Sequence, residues 1–191
     1  MNTSVDSVES IEKFCVLCDE LFSVWQLRKY MFDENPYVDL LTGPRHGHFF
    51  LLLQNTLQES WIYKLGKLHD PAVQNSSMNL SIPCLVEFGK WHPDFKSKLV
   101  KIQNEMKVLS ESLRNVRNKV WAHNDLKSVL SEKSHGAFEV GQDELYFQAL
   151  RNFTSAVSEK VLGYQFDYTD MVQNDVEIFM NDFVCGIAGI K

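Results

Sequence analysis

The feature that most constrains the fold of this chain is a run of apolar residues at heptad spacing. Steps of three and four residues alternate along it without a break. Its members are Leu99, Ile102, Met106, Leu109, Leu113, Val116 and Val120. They share one narrow face of a helix, which is typical of a helix that lies nearly parallel to its neighbours in a bundle. The spacing predicts a long helix from about Pro93 to His123.

Helical periodicity also dominates the rest of the chain. Apolar side chains recur at three- and four-residue steps over about 8–32, 45–69, 144–162 and 169–184. Asp70-Pro71 should end the second of these helices, because the residue before a proline disfavours the helical region. After a polar loop over 71–80, Ser81 is a candidate N-cap for a short helix to about Lys90. No strand pairs are predicted.

The pattern therefore predicts an all-α fold, a helical bundle of four to five long helices plus a short one. The length of 191 residues fits a single domain over 1–191. No apolar run approaches the roughly 20 residues that span a bilayer. The N-terminus lacks a basic region followed by an apolar one, so no signal peptide is predicted. We expect a cytoplasmic protein with no membrane partner.

The cysteines and histidines give little support for a metal site. Cys15 and Cys18 form a CxxC pair, but no second pair follows. Both fall on the apolar face of the first helix, where cysteine behaves as a small hydrophobe. His46 and His48 lie in or beside a predicted loop. No phosphate-binding glycine motif is present, and we expect neither a metal nor a cofactor.

The net charge of −6 argues against a protein that coats nucleic acid without specificity. The long helix differs from this average. From Lys96 to Lys119 the chain has seven basic and two acidic residues. This excess is compatible either with a local RNA-binding surface or with an ordinary solvated face.

Arg117 and His123 near the end of this helix are the candidate catalytic pair. Arginine offers five planar donors to a phosphate, and histidine can give and take a proton near neutral pH. On one helix the two side chains would point about 100–120° apart, so a composite site would need two copies across a two-fold axis. Spacing alone favours a simpler interpretation, in which His123 is a core residue and Arg117 a rim salt-bridge donor.

Three blocks of sequence change this balance. They lie at 60–72 (Ser-Trp-Ile-Tyr-Lys-Leu-Gly-Lys-Leu-His-Asp-Pro-Ala), 79–82 (Asn-Leu-Ser-Ile) and 113–125, which contains Arg117-Asn118 and His123. Together they resemble the type-U abortive-infection branch of the HEPN superfamily, whose signature is RNxxxxH. The resemblance covers about 45–130. His69 departs from the pattern of the first block and has no interpretation from sequence.

The resemblance implies an α-helical bundle that forms a homodimer and acts as a metal-independent endoribonuclease. Arg117 and His123 would be catalytic, with Asn118 bound to the phosphate, the ribose or His123. Lys119 and Arg114 are expected to contact RNA. The 2′-hydroxyl of RNA would attack the adjacent phosphate, which leaves a cyclic phosphate and a 5′-hydroxyl.

The resemblance further implies a role in phage defence or toxin-like growth arrest. Asp125 occupies the position where some HEPN toxins carry a tyrosine that a partner enzyme modifies, so that regulation is not expected. The sequence leaves open whether an antitoxin or another regulatory protein acts on this chain. Two alternatives also stay open: a non-catalytic HEPN module that binds RNA or a protein partner, and a helical scaffold.

Overall fold

The computed structural model describes residues 4–116 and 141–189 and confirms the all-α fold. Over these residues it has five long helices and two short ones. The elements are α1 (Val8–Arg28), a π-helical segment (Lys29–Asp33), α2 (Val38–Thr42), α3 (Gly47–Leu68), β1 (Val73–Gln74), β2 (Ser77–Met78), α4 (Ile82–Phe88), α5 (Pro93–Val116), α6 (Gln142–Leu162) and α7 (Val172–Gly189). Within this part of the chain no helix is long and apolar enough to cross a bilayer.

The chain divides into two compact units. Unit 1 comprises Met1–Cys18 and Ile62–Asp167, and unit 2 comprises Asp19–Trp61 and Tyr168–Lys191. The helices α1 and α3 therefore contribute residues to both units. That 1–191 forms a single domain stays a prediction.

The heptad run predicted on the long helix lies on the buried face of α5 in unit 1. Leu99, Met106 and Leu113 are fully buried, while Leu109 is only half-buried. The helix packs along α6 and also contacts α4. This supports the prediction of a bundle as far as Leu113, and the last member of the run, Val120, lies outside the described residues.

Unit 1 also buries the CxxC pair, as predicted for core cysteines. Cys15 and Cys18 have no exposed surface. Burial raises the pKa of the Cys15 thiol to about 12, and the nearby Glu12 carboxylate adds to this rise. The adjacent Phe14 meets Phe153 edge to face, with ring centroids 5.8 Å apart. Val8 belongs to the apolar run predicted over 8–32, but at the start of α1 it is largely exposed instead of buried.

The segment between α3 and α4 contains the main departure from the predicted all-helical chain. A two-residue antiparallel hairpin pairs Val73 with Met78 and Gln74 with Ser77, where only a polar loop was predicted. Asn75 at its turn has a positive φ of 50°, a conformation that asparagine tolerates well.

The two ends of the hairpin segment are as predicted. The helix α3 ends at Leu68, just before Asp70-Pro71, and Ser81 is the N-cap of α4. The Ser81 hydroxyl accepts a hydrogen bond from the Cys84 amide at 3.3 Å.

Unit 2 has its own apolar core, formed by Met31, Phe32, Leu41, Phe50, Leu57, Val176 and Met180. Asn35 ends the π-helical segment, with its amide Nδ2 donating to the Met31 carbonyl at 2.9 Å. Ahead of α7, the Thr169 amide donates to the Asp19 carboxylate at 2.7 Å. The prediction that α7 begins at Thr169 is therefore wrong, because Thr169 is bonded to a side chain of α1 and the helix starts at Val172.

Candidate functional site

The proposed catalytic residues follow directly after α5. Arg117, Asn118, Lys119 and His123 lie outside the described residues. The backbone of Arg114 belongs to the last described turn of α5, and its side chain is outside the description. The structure therefore defines the helix that leads to the motif, and its packing and charge can be examined.

The last described turns of α5 are held by buried side chains. Leu113 lies four residues before Arg117 and is completely buried. Ser110, one turn earlier, is also buried and its hydroxyl donates to the Lys107 carbonyl at 3.4 Å. Fully buried side chains fix the rotation of a helix about its own axis. The chain therefore enters the motif from a helix with a fixed azimuth.

The first turn of α5 is fixed by Trp91, which precedes it. The indole Nε1 donates to the Leu85 carbonyl in α4 at 2.6 Å, and the ring meets Phe95 edge to face at 5.3 Å. Gly89 makes room for this indole, since a Cβ there would lie 2.2 Å from the Trp91 Nε1. The Lys96 ammonium also donates to the Glu87 carbonyl at 3.3 Å. Both ends of α5 are thus anchored to the body of unit 1.

Basic residues cluster at both ends of the stretch from Lys96 to Lys119. Lys98, Lys101 and Lys107 are exposed, and the exposed Glu105 and Glu111 are interspersed with them. The six residues 114–119 include three basic residues and no acidic one, as do the six residues 96–101. The motif therefore lies in one of the two basic clusters between Lys96 and Lys119.

The net charge of −6 is carried entirely by unit 2. Unit 1, which includes the motif, has 15 basic and 15 acidic residues, whereas unit 2 has 4 basic and 10 acidic ones. The argument from overall charge against RNA binding is therefore weaker than it appears from the sequence, because the unit with the Arg/His motif has no acidic excess.

His69, which has no interpretation from sequence, is part of a buried pair. Its Nε2 is hydrogen-bonded to the Tyr146 hydroxyl at 3.0 Å, and both residues are buried. Burial raises the pKa of Tyr146 well above its ordinary value, and Cys18 adds to this rise. The phenol thus stays protonated and can donate to the imidazole. Because the two residues are 77 positions apart, local sequence patterns could not have revealed the pair.

The other sequence blocks also have structural roles. Within 60–72, Ile62, Leu65 and Leu68 are buried in unit 1. Asn79 folds back on Pro71, with its amide Nδ2 donating to the Pro71 carbonyl at 2.7 Å. These two blocks support the hairpin and the start of α4. The candidate catalytic side chains lie in the third block, at 113–125.

Neither His46 nor His92 belongs to a cluster of three or more metal-ligating side chains. His46 lies against Phe183, with ring centroids 5.5 Å apart, and His92 is near Asp94 at 3.6 Å. Over residues 4–116 and 141–189, no three His, Cys, Asp or Glu side chains are placed to hold one metal ion.

Comparison with known families agrees with these blocks. A model of the HEPN family AbiU2 matches residues 5–181, nearly the whole chain and parts of both units. The chain belongs to the AbiU2 family of HEPN domains. Neither a curated protein nor a solved structure matches it significantly. The RNxxxxH sequence at 117–123 therefore lies in a chain of the family that the resemblance indicated.

Proposed function

We propose that this AbiU2-type HEPN domain is a metal-independent endoribonuclease that acts in phage defence or toxin-like growth arrest. The observation that carries the proposal is the Arg117-Asn118 and His123 signature in a chain that belongs to a HEPN family. The packing of α5 supports it, because a helix anchored as far as Leu113 delivers the motif from a fixed base.

The reaction is an internal transfer at phosphorus. His123 takes the proton from a ribose 2′-hydroxyl, and the 2′-oxygen forms a bond to the adjacent phosphorus. The bond from phosphorus to the 5′-oxygen breaks, and an imidazolium returns a proton to that oxygen. Arg117 donates to the non-bridging oxygens and stabilises their developing charge. The products are a 2′,3′-cyclic phosphate and a 5′-hydroxyl.

The site is composite in this proposal. A single helix would hold Arg117 and His123 about 9 Å apart along its axis and on different azimuths. A two-fold dimer brings two copies of each residue to one cleft, so that one subunit's arginine can serve the other's histidine. Asn118 positions the phosphate or the ribose, and Arg114 and Lys119 hold the RNA backbone.

The electrostatic balance of unit 1 also supports an RNA substrate. With equal numbers of acidic and basic residues, unit 1 does not repel a polyanion as strongly as the net charge of −6 suggests. The three basic residues within 114–119 supply local attraction at the motif.

Overexpression in bacteria tests the function in a cell. The wild-type chain should slow growth, and His123→Ala should restore it. His92→Ala is the matched control, since His92 is an exposed histidine of the same unit and should leave the toxicity unchanged. Equal toxicity of the wild type and His123→Ala, at matched protein levels, would remove the support for catalysis and favour a module that only binds its target.

A further inference from the structure

Unit 2 has an open apolar groove. Its volume is about 560 Å³, and α1, α3 and α7 form its walls. Val24 and Leu27 contribute from α1, Phe49 and Leu53 from α3, and Phe179 from α7. A groove of this size, lined by aliphatic and aromatic side chains, can accept several apolar side chains of a ligand.

The apolar surface continues outward from the groove along two of its helices. Leu52, on the same side of α3 as Phe49, is 62% exposed, and Phe49 itself is 63% exposed. Next to the groove wall of α7, Met171 and Ile178 are exposed and one heptad apart. Exposed apolar surface that extends along helices is typical of a macromolecular contact rather than a small-molecule pocket.

The charge around the groove is acidic. Asp175 lines it, and Asp182 lies two turns further along the same side of α7. Two of the few basic side chains in unit 2 are neutralised by neighbours, Arg28 by Asp33 at 2.7 Å and Lys29 by Glu34 at 3.2 Å. The excess of acidic residues in unit 2 therefore favours a basic ligand in the groove.

We propose that this groove binds a cationic amphipathic helix of a protein partner. The apolar stripe of that helix would fill the space beside Phe49 and Phe179, and its lysine or arginine residues would face Asp175 and Asp182. Such helix-in-groove recognition relies on apolar anchors at helical spacing, with charge setting the choice of partner. This proposal does not rest on the proposed ribonuclease activity.

Fluorescence anisotropy with the full chain tests the proposal. Three labelled helical peptides of about 18 residues, or five turns, share one leucine stripe and carry lysine, glutamine or glutamate on the other positions. The lysine peptide should bind at least tenfold more tightly than the glutamate peptide. Added salt should reduce this difference, because it screens the exposed charges.

Two variants at exposed positions locate the binding surface. Phe49→Ala and Asp175→Lys should each lower the affinity for the lysine peptide about tenfold, as expected for loss of an apolar anchor and for a reversed charge. The matched controls are Tyr164→Ala and Asp94→Lys in unit 1, an exposed aromatic residue and an exposed aspartate outside the groove. Both controls should bind as the wild type does, and circular dichroism should show all four variants folded.

Three kinds of result would overturn the proposal. The first is a peptide series in which the lysine peptide does not bind saturably or the glutamate peptide binds equally well. Another is a loss of affinity in the unit 1 controls that matches the loss in the groove variants. The third is a wild-type dimer that becomes monomeric on Phe49→Ala in sedimentation, which would assign the groove to a second copy of the chain.

Discussion

At the scale of single residues, the buried side chains of unit 1 have the most specific consequences. The His69 Nε2 and the Tyr146 hydroxyl are hydrogen-bonded to each other inside the core. Cys15 and Cys18 occupy the same unit as small apolar groups, where a CxxC spacing suggests a redox or zinc pair at first sight. Pairing and burial, rather than residue type, determine what these side chains do.

Tyr146→Phe tests the buried pair. The substitution removes the buried hydroxyl that is hydrogen-bonded to the His69 Nε2, and we expect a loss of about 1–3 kcal/mol in unfolding free energy. Denaturant titration measures it, with Tyr164→Phe as the exposed control within about 0.5 kcal/mol of wild type. His69→Phe combined with Tyr146→Phe should recover part of the loss. An unchanged midpoint for Tyr146→Phe would refute the pairing.

Thiol titration tests the burial of the cysteines. At pH 8, in the native protein, the exposed Cys185 should react quickly with a disulfide reagent, and Cys15, Cys18 and Cys84 should react only after unfolding. Burial keeps these three thiols out of reach of the reagent. Rapid reaction of two or more native thiols would contradict this.

The raised pKa of Cys15 also predicts a pH dependence. Its ordinary pKa is 9.0 and its folded pKa is about 12. Below pH 9 the thiol is protonated in both states and its contribution to stability is fully present. Between about 9 and 12 only the unfolded chain loses the proton, so stability should fall as the pH rises. Denaturant midpoints over this range should decline less steeply in Cys15→Ala than in the wild type.

At the scale of elements, sequence succeeded where the cause of structure is local. The heptad run, the proline after Asp70 and the Ser81 cap each act within a few residues. The helix end and the cap appear in the structure as predicted, and the heptad run is buried as far as Leu113 except for the half-buried Leu109. The hairpin over 73–78 was missed because four of its six residues are polar and its strands are only two residues long. The short helix α2 lies between the helices predicted over 8–32 and 45–69 and was not predicted, because Asn35-Pro36 and Gly43-Pro44 on either side of it are typical of turns.

Gly89→Ala tests the junction between α4 and α5. A methyl group there would meet both the Trp91 indole and the Leu85 carbonyl, at 2.2 and 2.6 Å, so the indole must move and lose its hydrogen bond. We expect a loss of about 1–3 kcal/mol and a changed near-ultraviolet dichroism spectrum. Gly186→Ala is the control, since a Cβ there meets nothing within 4 Å, and it should leave stability unchanged or raise it by up to about 1 kcal/mol. Equal stability of the two variants would contradict the proposed role of Gly89.

At the scale of the whole molecule, family and charge distribution bear on function more than overall composition does. The family was predictable because each of its three blocks, at 60–72, 79–82 and 113–125, is a continuous run of sequence. The difference in net charge between the two units was not predictable, because unit 2 is assembled from 19–61 and 168–191, two segments far apart in the chain. The apolar groove was not predicted for the same reason, since Phe49 and Phe179 line one groove only in the folded chain.

The most direct test of the central claim is cleavage of a defined RNA by the purified protein in EDTA. Wild type and His92→Ala should cut it and leave cyclic-phosphate and 5′-hydroxyl ends. Arg117→Ala and His123→Ala should each cut at least about 100-fold more slowly, as expected for loss of a general acid–base or of charge stabilisation. Equal cleavage by all four proteins, or none by a folded dimeric wild type, would contradict the assignment of Arg117 and His123 as the catalytic pair of a ribonuclease.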